Sequence, residues 1–134
     1  MATYDQFKQD EILEKNGLTL DLGSAGRFKI ARAGGANQSF TKEFIRLTKP
    51  YRRAIQTETM DEETSRVILR EAFSKHIILG WEGVTGPDGE VLPFTRENCL
   101  KLLADLPQLF EEIRRAAEDA SLYRAQTLKV DAGN

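Results

Sequence analysis

Few side chains in this sequence could carry out chemistry, and their surroundings decide how each is read. His76 is the only histidine and Cys99 the only cysteine. A metal site needs several companion ligands, and this pair supplies too few. A catalytic histidine needs a nucleophile held beside it. Cys99 sits within an apolar helical stripe, so it reads as a small buried hydrophobe. His76, beside an apolar run, reads as a packed structural histidine. Gly34-Gly35 suggests a phosphate cradle, but neither a P-loop Lys-Ser/Thr pair nor a G-x-G-x-x-G pattern accompanies it. Asp88 and Glu90 lack the remaining ligands of a calcium loop. The basic series Lys42, Arg46, Lys49, Arg52 and Arg53 could meet nucleic acid or an acidic partner; the plainer account is a solvated helix face. No catalytic, cofactor-binding or metal-binding residue emerges, so the expectation is a protein that is not an enzyme and has no cofactor.

Composition narrows the classes further. The chain has 134 residues, enough for one domain with a core that needs no disulfide. Its formal charge is -2, whereas a general nucleic-acid binder would show a basic excess. A single cysteine fits a reducing cytoplasm. The first residues lack the basic and apolar regions of a signal peptide, and no apolar run approaches the ~20 residues of a membrane span.

The elements that position these residues follow from periodicity. Residues 4–15 read as a short amphipathic helix stopped by Asn16-Gly17. It is weakly apolar, so it is expected to dock only loosely, or only on a partner. Leu18, Leu20 and Leu22, then Phe28 and Ile30, alternate with polar residues across the Gly23–Gly26 turn, predicting a β-hairpin over 18–32. Asn37 or Ser39 is expected to cap a helix over 40–55, with Phe40, Phe44, Leu47, Tyr51 and Ile55 on one face and a bend or break at Pro50. Asp61 or Thr59 starts a helix over 61–79, ended by Gly80. Trp81, the only tryptophan, and the turn at Pro87-Asp88-Gly89 then form a corner between two short extended arms. Thr95 caps a helix over 96–105, and Pro107 starts a last one over 107–124, with Phe110, Ile113 and Ala117 inward. Residues 125–134 lose periodicity and are expected to be a mobile tail.

The resulting fold class is mainly α with an N-terminal β-hairpin (α+β), a compact domain of four to five helices over 18–124, preceded by the segment 1–17.

The stretch Ile78-Leu79-Gly80-Trp81-Glu82-Gly83-Val84, with Asp88-Gly89-Glu90-Val91-Leu92-Pro93-Phe94-Thr95-Arg96-Glu97-Asn98, resembles the tail assembly chaperones of long-tailed bacteriophages. Leu102-Leu103, Pro107, Leu109, Ile113, Ala116, Asp119 and Tyr123 continue the likeness, and Gly35-Ala36-Asn37 and Lys49-Pro50 look like that family's middle region. The resemblance implies a non-enzymatic protein of the host cell cytoplasm. It would bind and solubilise the tape-measure protein and help recruit tail tube protein during tail morphogenesis. A groove between helices 40–55 and 107–124 would receive a partner helix. Its expected contact residues are Phe44, Arg46, Leu47, Tyr51, Arg52, Arg53, Trp81, Phe110, Ile113 and Ala117. A homo-oligomer stays open, and no membrane or nucleic-acid partner is expected. The alternatives are a structural virion component, such as a tail terminator or head–tail connector, and a small nucleic-acid-binding regulator.

Overall fold

The computed structural model describes residues 2–125. In chain order it holds α1 (Ala2–Phe7), α2 (Glu11–Asn16), β1 (Leu18–Asp21), β2 (Arg27–Ile30), α3 (Gln38–Thr48), α4 (Arg52–Gln56), α5 (Glu62–His76), β3 (Ile78–Glu82), α6 (Arg96–Asp105) and α7 (Pro107–Glu118). The fold is α+β, helical with a small antiparallel sheet. That sheet has three strands in the order β1-β2-β3, one more than the expected hairpin.

The third strand comes from residues read as the end of a helix. α5 stops at His76, and Gly80 lies within β3 rather than ending the helix. Ile77 is the hinge: its N–H still bonds Phe73 O, while its own carbonyl accepts from Ala31 N. Ile77 and Ile78 are both buried, because one closes the helix against the core and the other pairs with Ile30 across the sheet. An apolar run of this kind suits either period, and only the waiting edge of β2 selects the strand. The pairing also places Trp81 directly opposite Phe28, ring edge to ring face with centroids 6.0 Å apart.

Hairpin closure depends on Gly26. It is buried at φ +113°, and a Cβ there would come within 2.8 Å of Val84 and 2.9 Å of the Glu82 carbonyl. Gly26→Ala would therefore strain the backbone and push the hairpin off β3.

The helices meet the sheet through aromatic side chains. Phe73 of α5 packs edge to face against Phe40 of α3 (5.5 Å) and Phe110 of α7 (5.3 Å). Phe28, Ile30, Ile77, Ile78, Leu103 and Ile113 surround them at or near zero exposure. Cys99 lies in the same core, and burial pushes its thiol up to about 12. A thiol so placed reacts only as the fold opens. Alkylation by a maleimide at neutral pH should therefore follow the unfolding curve in urea; labelling as fast as in the denatured chain would contradict this placement.

Of the remaining helices, the first and the last differ from expectation. The helix expected over 4–15 is two short ones, because Asp10 accepts from Leu13 N and starts α2 afresh. The helix expected over 40–55 starts at Gln38 and has the expected break at Pro50, dividing into α3, a 3-10 turn (Lys49–Tyr51) and α4, as a residue without a donor requires. The last helix ends at Glu118 rather than running to 124, because Asp119 turns extended and accepts from Ser121 N, opening a 3-10 turn over Ala120–Tyr123. Of the tail expected over 125–134, all but Ala125 lies outside the described residues.

The N-terminal segment, expected to dock loosely, is anchored. Glu14 is 2 % exposed. Its carboxylate accepts from Arg32 (2.8 Å), Gln9 (3.0 Å) and the Ala36 N–H (2.9 Å). Asp10 N bonds Tyr123 O, and Ala125 N bonds Lys8 O, so the two ends of the described chain are tied together. Burial raises the Glu14 pKa, but the Ala36 N–H, Gln9 and Arg32 together outweigh it and hold the carboxyl below its ordinary range. A carboxyl held low in the fold stabilises it above the unfolded pKa, near 4.5, and loses that contribution as pH falls toward the folded value. Urea midpoints should therefore drop as pH falls below about 4.5, and the drop should be shallower in Glu14→Gln. Parallel acid limbs in the two proteins would contradict this role.

Candidate partner-binding surface

The contact residues expected from the sequence fall into two groups. Phe110, Ile113 and Ala117 face the core, the last two with no exposed surface. A groove floored by these α7 side chains is thus already filled, since Phe73 of α5 packs on Phe110 and all three belong to the core. This corrects the expected opening between helices 40–55 and 107–124. The other group stays near the surface. Phe44 and Leu47 are half-buried on the inner side of α3, while Arg46, Tyr51, Arg52 and Arg53 are exposed.

α3 and α4 present a basic ridge. Lys42, Arg46 and Lys49 follow one another at steps of four and three, which puts them on one helix face. Arg52 and Arg53 continue the charge past the Pro50 turn. All five are exposed. Ile45 is 59 % exposed and lies three residues after Lys42 and four before Lys49, so it sits within the ridge. Tyr51 and Ile55, also exposed, extend the apolar content onto α4. Ile45 had no place in the expected contact set, although its position beside Phe44 puts it off the inner stripe, a signal legible in a helical projection.

Glu43 fastens this ridge to α5. Its side chain is 11 % exposed and receives Arg46 at 2.6 Å, Lys75 at 3.6 Å and His76 Nε2 at 3.7 Å. The donated bond from Arg46 holds the Glu43 carboxyl below the usual range against the opposite pull of partial burial, with Lys75 and His76 adding to it. His76 therefore sits at a helix junction. Beside it, Asn37 does not cap α3: its side chain donates to Arg32 O and His76 O, stitching the loop to the end of α5.

Trp81 forms the corner. Its indole N–H donates to Leu92 O at 2.8 Å, and its ring meets Phe94 edge to face with centroids 4.9 Å apart. The ring is half-buried, so it acts as a strut between β3 and the 91–94 arm. Trp81→Ala should cost about 2–4 kcal/mol in urea unfolding. Trp81→Phe, which keeps a ring but loses the hydrogen bond, should cost about 1 kcal/mol. Equal losses in the two variants would contradict the strut. Beyond the corner, a cleft of about 370 Å³ opens between Gly86-Pro87 and α6, lined by Leu92, Leu102 and Leu106 with Lys101 and Asp105 at its rim. A larger and more open depression, about 960 Å³, lies beside α2, next to Glu14 and Arg32.

Among the described residues, no group of three or more His, Cys, Asp or Glu side chains is placed to hold a metal ion. No helix among them is long and apolar enough to cross a membrane.

One family model, described as YdaY prophage protein, matches residues 35–134. No curated protein and no solved structure matches the chain.

Proposed function

Taking as premise that this phage-derived chain belongs to the YdaY prophage protein family, we propose that it is a tail assembly chaperone. It binds the tape-measure protein in the host cell cytoplasm, keeps it soluble, and helps recruit tail tube protein. Its role is binding rather than catalysis. The observation that carries this reading is the α3–α4 surface, where Ile45, Tyr51 and Ile55 stand exposed among cationic side chains. Apolar side chains left in water beside charge are the usual equipment of a helix-binding face. The matched region spans that surface, the Trp81 corner and the last helices, which is also where the sequence resembles tail assembly chaperones.

Co-expression tests the proposal. A tape-measure protein from the same phage genome should move from the pellet to the soluble fraction when the chain is present, and the two should co-purify. Equal solubility with and without the chain would overturn it.

A further inference from the structure

The ridge on α3 and α4 is the part of the described surface where basic side chains gather without partners. Residues 38–56 hold five of the 19 basic residues of the chain but only one, Glu43, of its 21 acidic ones. That single acid is taken by Arg46 and α5. Lys42, Lys49, Arg52 and Arg53 make no ion pair among the described residues. On α5 and α7 the pattern is the reverse. On α5, Glu62 and Glu63 are paired with Arg66, and Glu63 also reaches Arg70. On α7, Glu112 and Glu118 are paired with Arg115 and Arg114.

We infer that the α3–α4 ridge is a docking face for an acidic amphipathic helix of another protein, whose carboxylates meet Lys42, Lys49 and the Arg52–Arg53 pair and whose apolar stripe covers Ile45. The inference rests on the chaperone reading for the site and adds the chemistry of the occupant.

Three observations select this occupant. Lys42 to Lys49 run along about 10 Å of helix, the length of two turns of a facing helix, and Arg52 and Arg53 continue the charge past the Pro50 break. Opposite charges at that spacing would pair along its whole length. An exposed isoleucine inside the row favours a partner with an apolar stripe, which a phosphate backbone does not offer. A second copy of this chain is the poorer fit, because the acids on its long helices α5 and α7 are largely spoken for by arginines of the same helix. The net charge of -2 also gives nucleic acid no long-range attraction to the molecule as a whole.

The test is fluorescence anisotropy with the full-length chain and labelled probes at low and moderate salt. The first probe is a peptide of about 18 residues, with glutamates at steps of four and three along one helical stripe and leucines along the next. The second has the same composition in scrambled order. The third is a short duplex DNA. The amphipathic peptide should bind at least tenfold tighter than either control, and added salt should weaken it. Lys42→Glu/Lys49→Glu should lose that binding at least tenfold. Ile45→Ser should weaken the peptide severalfold and leave residual DNA binding unchanged. These side chains are exposed, so circular dichroism should show the same melting temperature in every variant. Equal binding of the scrambled peptide, tighter binding of DNA, or indifference to Lys42→Glu/Lys49→Glu would overturn the inference. Concentration-dependent self-association abolished by Lys42→Glu/Lys49→Glu would overturn it in favour of a second copy. The co-expression result is separate. Solubilised tape-measure protein with no peptide binding would sink the ridge and spare the chaperone; peptide binding with no solubilisation would do the opposite.

Discussion

Phe73→Ala is expected to destabilise the fold by about 3–5 kcal/mol, among the largest effects of any single truncation in this chain. Phe73 has no exposed surface and is the ring on which α3 and α7 converge, through Phe40 and Phe110. Removing it opens a cavity that three helices line. They cannot collapse into it together, because each is held elsewhere: α3 by Glu43 to Lys75 and His76, and α7 by the bond from Ala33 N to Ala117 O. The transfer loss and the cavity cost therefore add. Equilibrium urea unfolding followed by far-UV circular dichroism measures the loss, and a melting temperature lower by on the order of 10–20 °C should accompany it. Phe73→Leu, which refills much of the volume, should recover more than half of the difference. A loss under about 1 kcal/mol in Phe73→Ala would mean that the ring is not the hub described.

The second large effect is expected at Glu14. Glu14→Ala should cost about 3–5 kcal/mol at neutral pH, because it removes one member of a buried ion pair and strands the other. Arg32 is left with its side chain only 18 % exposed and with an Nε that already lacks a hydrogen-bond partner. The Ala36 N–H and the Gln9 amide lose their acceptor as well. Replacing both partners, as in Glu14→Leu/Arg32→Leu, should be milder than Glu14→Ala alone, since an apolar pair leaves no orphaned charge. Hydrogen exchange gives the location. Amides of α2 and of the 33–36 loop should lose protection in Glu14→Ala, whereas those of α5 should change little. A uniform loss across the chain would show that α2 is part of the global core instead of a separately fastened segment. Residues 1–34 lie outside the stretch matched by the family model. Yet they supply two of the three strands and the buried carboxylate.

Short-range signals in the sequence held where the physics is local. Asp61 and Thr95 cap α5 and α6 through their side chains, Pro107 opens α7, and Gly17 ends α2 at φ +91°. The alternation of the hairpin put Phe28 and Ile30 inside, as β2 shows. Each of these depends on bonds spanning a few residues, which the local residue types specify.

Other features depended on partners far along the chain. Ile77 and Ile78 satisfy a helical or an extended period equally, and only the edge of β2 made them a hinge and a strand. Glu14 looked like one more charge on a weak helix; its burial requires Arg32, Gln9 and Ala36 to arrive from other elements. Asn37 carried a capping signature, but the Arg32 carbonyl and the distant His76 carbonyl outbid its own helix. The proposed binding surface divides in the same way. The common face of Lys42, Arg46 and Lys49 was set by the sequence alone, through helical spacing. That α7 buries Ile113 and Ala117 while Ile45 is left in water was decided by tertiary packing, because a periodic stripe marks which side of a helix is apolar and not which neighbour will cover it.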